Sequence, residues 1–282
     1  VAIALSLIAA VLYGAADFIG GGLASRKTAT VIVVIFSQLA GFAVLLCIVP
    51  FMDSHPLAID LWRGVVGGLL GAVGIVLLYR ALAIGRMGIV SPVTAVIAAT
   101  IPVLFGLTIG ERPSTLAWCG IGLAIFAVVL VSAHDPPEER TIRAALGMPI
   151  GVPTAILSGV TLGFFFIVLA KVQPISGLYP ILSARIASVL ALTLVALARR
   201  IPIRATRAVL PAIFFSGTLD MAANALYVLA AHKGLIAIVA VLTSLYPAST
   251  VALAAVVLHE RLAPSQWVGV VLALIGVVLV AR

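Results

Sequence analysis

The chain has 282 residues, of which 63% are hydrophobic and only 9% charged, and its mean hydropathy is +1.32. A soluble domain carries about 45–50% apolar and about 25% charged residues, so a soluble enzyme or signalling domain is excluded and an integral membrane protein is indicated. The net charge of +8 comes from Lys and Arg scattered at the ends of apolar runs. That placement suits headgroups and membrane orientation and gives no basis for nucleic-acid binding.

Ten apolar runs approach the ~20 residues that a bilayer crossing needs: 2–24, 30–52, 61–83, 88–109, 115–133, 149–171, 177–198, 207–231, 235–258 and 264–281. Alternating segments of about ten residues, the mark of a membrane barrel, are absent, so the spans are expected to be helices, which satisfy their own backbone. The first span lacks charge as a signal peptide does, but it is too long and nine more follow. In it Ser6, Tyr13 and Asp17 recur at helical spacing, with Asp17 close to "GGG" at 20–22 and so within reach of either a cavity or the headgroups. "GGGLASRKT" at 20–28 resembles a phosphate loop but has Arg26 where the second glycine is required.

Gln38 in the second span needs a hydrogen-bond partner or water. In the third, Gly64, Gly67, Gly68 and Gly71 form small-xxx-small patterns that permit close helix packing. The fourth offers Ser91, Pro92, Thr94 and Pro102, and the seventh holds Arg185. In the eighth, Asp220, Asn224 and Tyr227 stand at i, i+4 and i+7 and so share one face. An ionisable group at the bilayer centre costs at least about 2.5–3.5 kcal/mol, which leaves Asp220 two readings, a cavity wall or interhelical glue with Arg185. The ninth span reads "TSLYPAST": Pro247 deprives the carbonyl at 243 of its helical donor, beside the hydroxyls of Thr243, Ser244 and Tyr246. Pro92, Pro102 and Pro247 are the expected kinks, with hydroxyls that serve either a ligand or the freed backbone.

Sliding the chain by 149 positions, the distance from Glu111 to Glu260, also aligns Arg112 with Arg261, Trp118 with Trp267, Gly85 with Gly234, Thr94 with Thr243 and Gly120 with Gly269. The chain is therefore a tandem repeat, 1–133 and 148–282, joined by a polar linker at 134–147. Five spans per copy is an odd number, so the copies should cross the membrane in opposite senses. Inverted repeats are a recurring transporter construction with the substrate site between the halves. In the turns "GERPSTLAW" and "HERLAPSQW" each Glu is expected to cap the next helix, each Arg to reach headgroups, and each Trp to anchor at the interface.

The pattern (Gly/His)-Glu-Arg-x5-Trp-x-Gly before an apolar span, with "LYGAADF" at 12–18 and "LGFFFIVLAK" at 162–171, resembles the EamA-type family of the drug/metabolite transporter superfamily, and within it the amino-acid exporters. The resemblance covers the whole chain. It implies a basket of ten helices, spans 1–4 and 6–9 around a central cavity and spans 5 and 10 outside as support.

The expected fold is thus an all-α membrane protein of ten helices in two inverted five-helix repeats around a cavity. The expected function is secondary transport, export of neutral or aromatic amino acids by alternating access, with efflux of lipophilic cations or a non-transporting scaffold as alternatives. Candidate substrate-binding residues are Tyr13, Asp17, Gln38, Ser91, Thr94, Arg185, Asp220, Asn224, Tyr227, Thr243, Ser244 and Tyr246, and Phe18 could help embrace an apolar side chain. No enzymatic activity, cofactor or metal is expected: His55, His134, His232 and His259 are far apart and no Cys/His cluster appears. Cys47 and Cys119 read as packing residues. The partners are a small-molecule substrate and the bilayer, and a monomer is expected. The charge bias places Arg26, Lys27, Arg86, Arg140, Arg143, Arg199, Arg200, Arg204, Arg207 and Arg261 inside a bacterial-type inner membrane and both termini outside.

Overall fold

The structure, a computed structural model, describes residues 1–85, 87–132, 151–257 and 264–281. The linker at 134–147, Arg86, Arg140, Arg143, Glu260, Arg261, His134 and His259 lie outside the described residues. Within them all regular structure is helical, and eight helices are long and apolar enough to cross a bilayer.

The helices are α1 (Ala2–Asp17), which runs on as a π-helical turn over Phe18–Ala24, α2 (Thr30–Ile48), α3 (Ala58–Ile84), α4 (Met87–Thr108) and α5 (Thr115–Ser132). After the linker come α6 (Val152–Ala170), α7 (Tyr179–Ala198), α8 (Leu210–Ala231), α9 (Ile236–Thr243), α10 (Tyr246–Val257) and α11 (Pro264–Ala281). At 18 residues each, α5 and α11 sit at the short end of spanning length.

Packing is reciprocal between the two parts of the chain: α3 lies on α6 and α7, and α8 lies on α1 and α2. Likewise α4 packs on α6, and α9 with α10 on α1, while α5 and α11 pack mainly on each other. The glycines permit this closeness. A Cβ at Gly68 would overlap the Ala184 backbone and one at Gly217 the Ser37 backbone, and these two glycines correspond in the 149-residue register. Gly64 is pressed against Pro180 in the same way, whereas Gly67 and Gly71 face Val168 and Phe165.

Contacts at the helix ends give directions. Tyr79 near the end of α3 bonds the Ala16 carbonyl near the end of α1, at 3.3 Å, so α1 and α3 are parallel. Gly151, left-handed at φ 88° where α6 begins, stands against Ala81 and Gly85 at the end of α3. At the other end Asp60, at the start of α3, accepts hydrogen bonds from the Gln173 amide at 3.2 Å and the Ser176 hydroxyl at 2.7 Å, just beyond α6. Hence α6 runs antiparallel to both α1 and α3.

The ninth span is broken at Ser244–Leu245 between α9 and α10, as the missing N–H of Pro247 requires, while α4 runs continuously with Pro92 and Pro102 inside it. One local expectation changes. Glu111 does not cap α5. Its carboxylate accepts from the amides of Ile236 and Ala237 at 2.7 and 3.0 Å, the free donors at the positive end of α9. The start of α5 is served instead by Ser114, whose hydroxyl accepts from the Ala117 amide at 3.1 Å. Trp118 and Trp267 are exposed on the outer surface, where lipid-facing anchors would stand.

Candidate functional site

Between the two parts of the chain lies a cavity with about 60 Å³ open to the centres of water molecules, within about 670 Å³ of empty space that includes its open end. At roughly 10–15 Å³ per water centre, that is room for a handful of waters. Its wall contains Tyr13, Asp17, Gln38, Arg185, Asp220, Asn224 and Tyr246, seven of the twelve residues singled out by sequence.

The polar groups form one chain across three helices. Arg185 Nη2 of α7 donates to Asp220 Oδ2 of α8 at 2.8 Å. Asn224, one turn on, donates to the same oxygen at 3.2 Å and to the Asp220 carbonyl at 2.7 Å. Tyr13 of α1 then donates to Asn224 Oδ1 at 2.9 Å. The pairing of Arg185 with Asp220 supplies the glue that sequence allowed, and both side chains still border the cavity.

Other groups on the wall have no such satisfaction. Arg185 Nε, Gln38 Oε1 and the Tyr246 hydroxyl are buried without a hydrogen-bond partner. Asp17 is 4% exposed and has no ion-pair or side-chain hydrogen-bond partner among the described residues. It borders the cavity rather than reaching the headgroups, and the π-helical turn starts at the next residue. Such turns are over-represented at functional sites.

The remaining candidates lie elsewhere. Tyr227 is fully buried and gives its hydroxyl to the Phe166 carbonyl at 3.1 Å. Thr94 bonds the Ala155 carbonyl at 3.2 Å, tying α4 to α6, and Ser244 bonds the Val241 carbonyl at 2.8 Å. Ser91 and Thr243 are buried without partners, off the cavity wall. Phe18 is buried but not on the wall.

The apolar part of the cavity wall escaped the sequence reading. It is built by Gly71, Ile75 and Leu78 of α3 with Leu162, Phe165, Phe166 and Leu169 of α6. The 149-residue register relates the two parts: Tyr13 corresponds to Leu162, Asp17 to Phe166, Asp220 to Gly71 and Asn224 to Ile75. Matching positions therefore face the same space, polar from α1 and α8 and apolar from α3 and α6. The duplication itself was the signal that could have found the apolar part.

The EamA-like transporter family model matches residues 1–133 and 149–282. The chain belongs to that family. It is accordingly a multi-pass membrane protein of a transporter family. A solved crystal structure of another protein superposes on it with a TM-score of 0.77, covering 99% of this chain and 98% of its own, at 14% identity. That likeness speaks for the fold alone. No curated protein matches the sequence.

Proposed function

We propose that this EamA-family protein is a secondary transporter that exports zwitterionic metabolites, chiefly neutral and aromatic amino acids. The observation that carries the proposal is the mixed lining of the cavity. Arg185, Gln38, Asp17 and Tyr246 present unmet donors and acceptors on its wall, and Phe165, Phe166, Leu162 and Leu169 add an apolar surface to the same wall. An amino acid has a carboxylate and an ammonium at one end and an apolar side chain at the other, so it matches both without adding net charge.

The halves are proposed to be inverted repeats of five spans that rock about this site. Support comes from the antiparallel run of α6 against α1 and from the exchanged packing of α3 and α8. The broken span at Ser244–Leu245 provides a bending point beside Tyr246. Both termini are placed outside a bacterial-type inner membrane, with Arg26, Lys27, Arg199, Arg200, Arg204 and Arg207 toward the cytoplasm.

Counterflow in proteoliposomes with a panel of amino acids and cationic dyes tests the reading. Exchange of radiolabelled phenylalanine or leucine is expected. Exchange of the dyes alone would replace it with lipophilic-cation efflux, a second reading favoured by the unpartnered carboxylate of Asp17, and no exchange at all would leave a scaffold.

A further inference from the structure

We infer that Asp17 is the cavity's cation site, a carboxylate for which a proton and the protonated amine of a substrate compete. The inference rests on reading the cavity as a transport site. Two carboxylates border that space and they are not equivalent. Asp220 is held by Arg185 and Asn224 at 2.8 and 3.2 Å, so its charge is matched. Asp17 is buried with no partner among the described residues.

The groups around Asp17 leave its charge unbalanced. Its own helix brings Tyr13, α3 brings Tyr79 on the neighbouring Ala16 carbonyl, and α10 brings Tyr246. From α8 comes Asp220 and from α7 Arg185, while α2 contributes the uncharged Gln38 and α9 has no titratable residue. The tyrosines are uncharged at neutral pH. One guanidinium therefore stands against two carboxylates, and the excess is a single negative charge.

Two further atoms point to a ligand with N–H or O–H donors. Gln38 Oε1 and the Tyr246 hydroxyl oxygen are both more than nine-tenths buried, both on this wall and both without partners. A primary ammonium can donate to the Asp17 carboxylate and to such neutral acceptors together. When the cavity closes around Asp17 without a substrate, an unmatched carboxylate in a dry interior is costly. A proton removes that charge. It is taken from water on one side as Asp17 becomes a carboxylic acid, and it returns to water when an incoming ammonium takes its place. The position matching Asp17 in the 149-residue register is Phe166, which has no carboxylate, so the site exists once per chain.

The test is proton release from purified transporter in weakly buffered detergent, followed with a pH-indicator dye as three probes are added: phenylalanine, phenethylamine and 3-phenylpropionate. The expected result is one proton released for each phenylalanine or phenethylamine bound and none for 3-phenylpropionate, which has no amine. Asp17→Asn should abolish the release, and Asp53→Asn, an exposed carboxylate away from the cavity wall, should retain it. Release that persists in Asp17→Asn, or an equal release by 3-phenylpropionate, would overturn the inference.

Infrared titration of the ligand-free protein separates this outcome from failure of the amino-acid reading, because it needs no substrate. A protonated-carboxyl band that titrates in the wild type should be missing in Asp17→Asn, and its survival there refutes the site even if no probe binds. Asp17→Glu, which keeps a carboxyl, should fold and shift the midpoint of that band; an unmoved midpoint counts against the site equally.

Discussion

Asp60 offers the sharpest test of how the two parts of the chain are held together. Its side chain is fully buried and accepts from Arg63 Nη1 at 2.7 Å, Ser176 Oγ at 2.7 Å and the Gln173 amide at 3.2 Å. Ser176 in turn accepts from the Leu57 amide at 3.1 Å, and Arg63 also donates to the Lys171 carbonyl at 2.9 Å. Hydrogen bonds to a charged group contribute about 1.5–3 kcal/mol each. The Arg63 side chain is 33% exposed, so water screens its share to under about 1 kcal/mol. Most of the loss in Asp60→Ala comes from the two donors beyond α6 that are left without an acceptor, and the expected destabilisation is about 3–4 kcal/mol. Arg63→Ala leaves those two donors satisfied and should cost only about 1 kcal/mol. Equilibrium unfolding in mixed micelles of dodecyl maltoside and SDS measures both. If Arg63→Ala proved as damaging as Asp60→Ala, the ion pair rather than the buried amide and hydroxyl would hold this end, and the reasoning would fail.

Glu111→Gln retains one acceptor for two amide donors and removes the charge from the start of α9, so it should lower stability by about 1–2 kcal/mol in the same unfolding assay. Gly217→Val would drive a side chain into the Ser37 backbone, and because backbone cannot yield as a flexible side chain does, loss of folded yield on size-exclusion chromatography is expected. Gly122, with open space around it, should tolerate the same change. Phe166→Ala removes apolar surface from the cavity at about 25 cal/mol per Å², so counterflow should fall by tenfold or more for phenylalanine and much less for alanine.

Legibility in the sequence followed cost. Apolar runs of about 20 residues have few alternative explanations, so the helices fall on the expected spans, with α3 reaching beyond 61–83 at both ends and α4 starting one residue before 88, and Asp17, Arg185 and Asp220 stood out because charge is rare there. Partners were another matter. Tyr13 and Asn224 are 211 residues apart, and nothing local says that α1 and α8 touch. Asp60 drew no notice because a charge at a helix start is ordinary, although this one is fully buried. The apolar side of the cavity was invisible for a different reason: in a membrane span, Leu162 or Phe166 reads the same whether it faces lipid, another helix or a cavity.

The duplication explains why one cavity has two characters. In a perfectly repeated chain these wall positions would occur twice, and Asp17 and Asp220 would each share one small cavity with a copy of itself. Like charges at that range repel, and each added ion carries its own desolvation cost. Divergence removes the conflict by keeping the polar residue in one copy and an uncharged one in the other: Asp17 against Phe166 and Asp220 against Gly71. The same divergence acts at the ends of the helices. The positions matching Asp60 and Arg63 are Val209 and Ala212, and those matching Gln173 and Ser176 are Ala24 and Lys27, so the buried carboxylate tie cannot form a second time. On the proposed rocking of the two halves, ties this unequal would leave the balance between the two closures uneven before any substrate binds.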